Sequence, residues 1–443
     1  MPRKKEYTML HLNKFEQILK LNIGVSQSDN AKMFSILQSI LPLKIHQFSS
    51  GQEHNGWVIP HDWTVKRALI KKNGRIIFNG KVHSLAVAGY SCSFKGKVNR
   101  KKLNQHIYTR PELPNAYSYQ FMFTYKPWLK RWGFSVPYGI YKTWDDGIYE
   151  IDLQTQYKKG EMLVGEYFHQ GRLNNTIVFN AHTCHPAQFN DDLSGVAVIL
   201  ELFKWLSKKK TRFSYRAILG PEHFGSHFYL NRLSPEKRKH FKMGVFVEMV
   251  GIKNRLTLQQ SFHGNHYIDY IAEKALRAFE PHLRIGSFRS IVGNDETVWE
   301  APGVEIPFVS ISRCHQSPFY YKEYHTNEDN LTIASRRHLV QTLEALKTMV
   351  KCIEADQMVE RTFNGLIALS NPRYNLYFQR PAPGVKRKFT QAELKLGKLQ
   401  DILPRYFDGE HSVAQLADRF DINVHTMKMH IRKFAAKGLV KLR

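Results

Sequence analysis

Thr176-Ile-Val-Phe-Asn180-Ala-His182-Thr-Cys184-His185-Pro186 is the stretch on which the reading of this chain turns. It starts as a run of β-branched and aromatic residues, the composition of a buried strand. It ends in a cluster of polar side chains closed by proline. In α/β sheets, ligands bind just beyond the carboxyl ends of the strands, so His182, Cys184 and His185 stand where a metal can be held. A single histidine at such a place is more often structural, and a metal site needs companions farther along the chain.

Downstream, Asn190-Asp191-Asp192-Leu193-Ser194-Gly195 sets two carboxylates ahead of an amphipathic helix expected over 195–206. Asp192 suits the helix N-cap, which leaves Asp191 free to point into the crevice. A strand over 215–219 leads into Gly220-Pro221-Glu222-His223-Phe224-Gly225-Ser226. Glu248 interrupts the apolar run Val245-Phe-Val-Glu248-Met-Val250, where a carboxylate is costly unless paired or bound to metal. Beyond a strand expected over 307–312 comes Tyr324-His325-Thr326-Asn327-Glu328-Asp329-Asn330. Each signal is weak alone. Together they form a series of His, Asp and Glu, most of it at strand ends, and such hard and borderline ligands suit zinc. A carboxylate bridging two metals lets them share a nucleophile, and a further glutamate can take the proton from water.

The order and local context of these motifs resemble the co-catalytic zinc aminopeptidases. More narrowly, His-Thr-Cys-His-Pro, Pro-Glu-x-x-Gly-Ser and Glu-Tyr-His-Thr resemble a little-characterised bacterial aminopeptidase-like family with a β-rich insert and a C-terminal winged helix; Asn294 replaces the serine of that family's Gly-Ser-Asp-Glu motif. The resemblance covers nearly the whole chain. It implies an α/β, phosphorylase/hydrolase-like three-layer core that binds one or two zinc ions. His182 and His325 would be metal ligands, Asp191 the bridge, and Glu248 the counterpart of the family's Asp-Met-x-Gly aspartate. Cys184 stands where those enzymes place the aspartate that orients the histidine, and a thiol there either hydrogen-bonds weakly or binds metal itself. The family's Glu-Glu pair is reduced to Glu222-His223. Either Glu222 is the catalytic base and His223 a ligand, or Glu222 is the ligand and the base lies elsewhere. His185 is a ligand or a supporting group. Asp295 and Glu296 line or order the site, and Arg313 holds a substrate carboxylate or a structural acid.

At 443 residues the chain is expected to hold several domains. The reading gives N-terminal helices of the core at 1–45, a β-rich insert at 46–110, the catalytic domain at 111–377, a proline-containing basic linker near 378–388, and a winged helix-turn-helix at 386–443. Residues 110–145 are rich in Pro, Tyr and Trp and have no clear period, which reads as extended or irregular chain. The sheet of the core is expected to be largely parallel, with Tyr149 to Leu153 as one of its strands. In the C-terminal segment, His425, Lys428, Arg432 and Lys433 share a helix suited to nucleic acid, although the same shape also serves protein contacts. The net charge of +27 is read either as a solvated basic surface or as attraction to a polyanion. No apolar run is long enough to span a bilayer. Four widely spaced cysteines without a CxxC pair fit a reducing cytoplasm.

The expected activity is zinc-dependent hydrolysis of a peptide or small amide. Two rivals stand beside it: a regulatory protein in which a pseudo-peptidase domain controls a nucleic-acid-binding winged helix, and a hydrolase of a non-peptide amide in a biosynthetic pathway. The oligomeric state is not legible.

Overall fold

The computed structural model describes residues 10–121, 123–314, 320–378 and 388–443. They form two compact units, Met1–Lys347 and Thr348–Arg443.

The first unit is built on an eight-stranded sheet, and Thr176–His182 lies near its middle with every residue buried. Its neighbours Ser214–Gly220 and Phe241–Val247 both run parallel to it, and Phe241–Val247 pairs in parallel with Phe308–Ser312. These strands read as nearly continuous apolar runs because both faces of the sheet are covered. On one face Val178, Ile218 and Phe246 pack with Phe224, Phe228 and Trp299. On the other, Phe179 meets Phe203 of the helix Ser194–Leu206 edge to face at 5.9 Å. The result is helix, sheet, helix in three layers. The expectation of a largely parallel sheet needs correction. Lys44–Ser49 pairs antiparallel with Glu161–His169, which pairs antiparallel with Ser214–Gly220, and Thr257–Gln259 is antiparallel to Phe308–Ser312. The sheet is mixed, with a parallel centre.

The β-rich part is a separate four-stranded sheet of Asp62–Lys72, Arg75–Asn79, Phe94–Asn99 and Ile148–Lys158. It reaches beyond the stretch 46–110, because residues 149–158 of the strand Ile148–Lys158 pair with Asp62–Lys72. Residues 149–153 therefore belong to this sheet and not to the core sheet. Residues 85–88 form turns, with an isolated bridge from Val87 to Phe134.

In the second unit, Met358–Arg361 lies between Asp408–Ser412 and Val440–Leu442 in a three-stranded antiparallel sheet. Against it pack the helices Gln391–Leu399, Val413–Arg419 and Val424–Ala436 through Leu396, Leu416, Ala417, Met427, Ile431 and Phe434. This unit takes a strand from before residue 386, since Val359 is fully buried among these side chains. Most of the expected linker, residues 379–387, lies outside the described residues. Among the described residues, no helix is long and apolar enough to cross a membrane.

The centre of the large sheet is tightly toleranced. A Cβ placed on Gly244 would fall 1.9 Å from the ring of Phe308, which is itself stacked on Trp299 at 5.0 Å. The indole of Trp299 donates to Asn180 Oδ1 at 3.0 Å, on the strand that carries His182. Gly244→Ala is therefore expected to destabilise the first unit by roughly 1–3 kcal/mol. Calorimetric unfolding checks this, and an unchanged midpoint would show that the ring moves aside freely.

Candidate metal centre

The strand Thr176–His182 ends at His182, whose side chain is 1% exposed. Its ring nitrogens are divided between two jobs. Nδ1 lies 2.6 Å from Asp192 Oδ2, while Nε2 faces Glu248 Oε2 at 3.4 Å and Asp191 Oδ1 at 3.8 Å. Asp191 Oδ2 lies 3.2 Å from His325 Nε2 and 3.9 Å from His185 Nε2. Asp191 thus stands between His182 with Glu248 on one side and His185 with His325 on the other. Each trio, His182, Asp191, Glu248 and His185, Asp191, His325, has donor atoms within 4.8 Å of one another. A third group joins His182, Cys184, His185 and Asp192.

Asp192 does not cap the following helix, contrary to the sequence expectation. The N-cap position is Leu193, without a side-chain bond, and a single wide turn, Phe189–Leu193, precedes the helix. The buried Asp192 carboxylate instead accepts from the Cys184 N–H at 3.0 Å and pairs with His182 Nδ1 at 2.6 Å and His185 Nδ1 at 3.2 Å. It performs the histidine-orienting role that the resemblance would give to an aspartate at the position of Cys184. The Cys184 thiol accepts from the Glu222 N–H at 3.3 Å and lies 3.6 Å from His185 Nδ1.

The remaining expected residues divide clearly. Glu248 follows directly on the strand Phe241–Val247 and is fully buried; Asn294 Nδ2 donates to its Oε2, and its Oε1 has no partner among the described residues. Glu222 lies beside the cluster, its Oε2 accepting from Tyr125 Oη at 2.7 Å. His223 belongs to none of the three groups. It adopts φ 56°, its N–H donates to Asp295 Oδ2 at 3.0 Å, and its ring packs against Trp57 and Tyr125. Asp295 thereby orders the turn after Glu222. Glu296 accepts from the Asn294 N–H at 3.0 Å and from Gln259 Nε2 at 3.2 Å, and so holds the loop that delivers Asn294 to Glu248. Arg313 holds no carboxylate among the described residues. It is buried and donates to the Asn254 and His338 carbonyls, Gln341 Oε1 and Thr342 Oγ1, which makes it a brace between the strand end and the helix Arg336–Ala355.

Two contributors are not legible in the sequence. Asp329 accepts from the N–H groups of Asn190 at 2.6 Å and Asp191 at 2.9 Å, and from Tyr321 Oη at 2.6 Å. Its motif is visible, but an acid in a loop carries no mark of its partner. The segment around 117–125, which has no period, lays Tyr119 and Phe121 edge-on to the His325 ring at 5.4 and 5.1 Å. It also ties its backbone to the His325 loop, since the Tyr119 N–H donates to the His325 carbonyl at 2.8 Å.

Electrostatics set the protonation states. Burial opposes charge on His182, but the Asp192 carboxylate outweighs it and holds the imidazole well above its usual range; His185 behaves alike, with Asp191 as the main counter-charge. Burial also opposes charge on Asp191, yet the histidines around it pull it well below the ordinary carboxylate range. Glu248 is pushed up to about 7 by burial. Glu296 rises to about 8 through burial and then the nearby Glu248, and burial takes Asp329 to about 7. Glu222 goes the other way: the surrounding imidazoles overcome its burial and keep it below the usual range, so it is ionised at neutral pH.

The family model described as a domain of unknown function (DUF4910) matches residues 13–356. A Clostridium acetobutylicum protein, named for a provisional role in polysaccharide biosynthesis and for its aminopeptidase-like domain, is 30% identical over 347 residues, 77% of each chain. A crystal structure of a provisionally assigned peptidase from Clostridium acetobutylicum superposes with a TM-score of 0.76 at 26% identity, covering 99% of this chain and 97% of that one. A zinc aminopeptidase of Bacillus subtilis gives a TM-score of 0.57 at 15% identity over 79% of this chain and 95% of its own. An aminopeptidase of Aneurinibacillus sp. strain AM-1 gives 0.52 at 16% over 78% and 93%. The fold of the first unit is thus that of the zinc aminopeptidases.

The titrations fix a pH signature for metal-stripped protein. Glu248, Glu296 and Asp329 are raised to between about 7 and 8, while His46 and His430 are lowered to about 4 and act the other way below about pH 6.5; the native state therefore binds the more protons, and stability falls as pH rises, between about pH 6.5 and 8. The raised His182 and His185 add to the same slope. The thermal midpoint of chelator-treated protein is expected to drop from about pH 6.5 to about pH 8, and zinc should restore it at the upper end. A midpoint that stays flat or climbs across this range would contradict the buried, protonated carboxyls.

Proposed function

This chain belongs to the DUF4910 family, and we propose that it is a zinc-dependent hydrolase that cleaves a peptide or related amide bond. The observation that carries the reading is the position of Asp191 between two histidine-containing trios. His182, Asp191 and Glu248 would hold one ion, and Asp191 with His325 a second, with His185 as its further nitrogen ligand. The donor set of imidazoles and carboxylates is that of zinc. The fit rests on three features: the partnerless, buried Glu248 Oε1, the His182 Nε2 directed at two carboxylates, and the Nδ1 of the same ring fixed by Asp192. The fold and the relatives support the same reading.

Zinc supplies Lewis acidity, which polarises a carbonyl and makes water nucleophilic at neutral pH. The protein does the rest. Asp192 fixes the tautomer and orientation of His182, a positioning role common beside metal-bound histidines. Tyr125 holds Glu222 through Oε2, leaving Oε1 to take a proton from water and pass it to the leaving amine. The ionised state of Glu222 suits a base. Trp57, Tyr119, Phe121 and Tyr125 wall the site with aromatic surface, which excludes water around the reacting bond.

A narrower reading, hydrolysis of an amide on a biosynthetic intermediate such as an acylated sugar, is favoured by the name of the 30%-identical relative. The helix Val424–Ala436 exposes His425, Arg432 and Lys433 and is proposed as the nucleic-acid-facing element of a winged helix. All four cysteines are free, which supports a cytoplasmic setting.

Purified protein is expected to carry one or two zinc ions, with His182→Ala and His325→Ala each lowering the count by mass spectrometry. Absence of metal from chelator-free preparations would end the enzyme reading. Glu222→Gln has the same shape and cannot accept a proton. It should retain zinc and lose at least about a hundredfold in turnover on a panel of aminoacyl amides. Loss of zinc in the same variant would make Glu222 a ligand instead.

A further inference from the structure

At the opposite end of the large sheet from the metal centre lies a groove of about 830 Å³. Thr176, the first residue of the strand that ends in His182, lines it. Six residue spacings separate the two places, about 20 Å along an extended strand. The groove is therefore a separate site, and its volume falls in the range of small-molecule pockets.

Its charge is one-sided. Lys44, Arg216, Arg232 and Lys237 line it against a single acid, Glu166. That acid is buried and already engaged: Arg216 pairs with its Oε1 and His46 with its Oε2. The guanidinium of Arg216 is further fixed by the Tyr229 hydroxyl at 3.1 Å and lies over the ring of Phe168 at 4.3 Å. Arg232 is held over Phe48 at 4.2 Å and donates to the Gln47 carbonyl at 2.8 Å. Lys44, Arg232 and Lys237 have no acidic partner among the described residues, and all three are exposed. The cations come from separate elements: Lys44 from the edge strand, Arg232 from the end of the helix Phe224–Arg232, Lys237 from the turn of helix Pro235–Arg238. Three uncompensated positive charges converging on one concavity raise the local potential well beyond that of scattered surface lysines. The half-buried His46 registers this field, for burial and then the charges of Lys44, Arg232 and Arg216 pull its imidazole down to about 4. Phe168 and Leu233 add apolar surface to the same walls.

We propose that this groove binds a small ligand carrying two phosphoryl groups attached to a ring, the guanidinium and ammonium groups taking the phosphoryl oxygens and Phe168 the ring. Arginine forks and lysine point charges are the side chains that proteins use for phosphoryl recognition. A single carboxylate would leave two of the three uncompensated charges unmatched, and one phosphate, at about −1.5 to −2, would still leave about one.

The test is calorimetric titration of the full-length protein with inorganic phosphate, a hexose bisphosphate and a nucleoside diphosphate, with zinc content measured on the same samples. A ring-bearing probe with two phosphoryl groups is expected to bind at least about tenfold more tightly than inorganic phosphate. Lys44→Glu/Lys237→Glu should weaken it by at least about tenfold at unchanged zinc content. Both side chains are exposed, so the fold should be kept. Which of the two probes binds tells a sugar phosphate from a nucleotide. Lys208→Glu/Lys209→Glu, a basic pair outside the groove, should leave binding intact. Equal weakening by this control pair would reduce the effect to overall charge and overturn the proposal, as would the absence of binding by every probe.

Discussion

The Asp329 carboxylate accepts the backbone N–H groups of Asn190 and Asp191 from a loop far along the chain, and much of the candidate metal centre depends on that contact. The wide turn at 189–193 has amides that no regular helix bond uses, and an unpaired buried amide is expensive. One carboxylate satisfies two of them and, with Tyr321, fixes the direction in which Asp191 leaves the backbone. Asp192, on the same turn, does the equivalent for His182 and His185. Two acids whose own chemistry is unreactive thereby decide where the donors sit.

Much of the core is legible in the sequence because its physics is local. Residues 176–182 read as a buried strand from their apolar run, and the amphipathic helix after them reads from its period. Glu248 is visible because a carboxylate inside Val245 to Val250 has no cheap explanation. The hidden part depends on contacts between distant segments. Asp192 has the sequence position of a helix cap, and only the turn before the helix sends its side chain to His182 instead. Arg313 looks like a handle for a carboxylate, yet its donors are taken by carbonyls and neutral side chains. Residues 148–158 alternate well enough for either sheet, and pairing with Asp62–Lys72 decides the matter. Tyr119, Phe121 and Tyr125 lie in a stretch without period, so nothing local announces their place.

Charge obeys the same logic. The clusters conspicuous in the sequence, such as Lys97 to Lys102 and Lys208 to Lys210, do not line the basic groove, whose cations are single residues spread from Lys44 to Lys237. Topology sorts them, gathering carboxylates and imidazoles at one end of the parallel centre and uncompensated cations at the other.

The segment around Tyr119 has two duties that cannot be separated. Its side chains border the His325 ring, and its backbone grips the loop that carries His325. In the proposed hydrolase, a peptide stretch that is both wall and hinge-pin would tie the choice of substrate to the geometry of His325, the ligand it encloses. Divergence among relatives is then channelled. In the proposed hydrolase, altered selectivity through this segment would bring a retuned ion with it, whereas a wall such as Trp57, which packs on Tyr125, His223 and Phe224, would be free to drift alone.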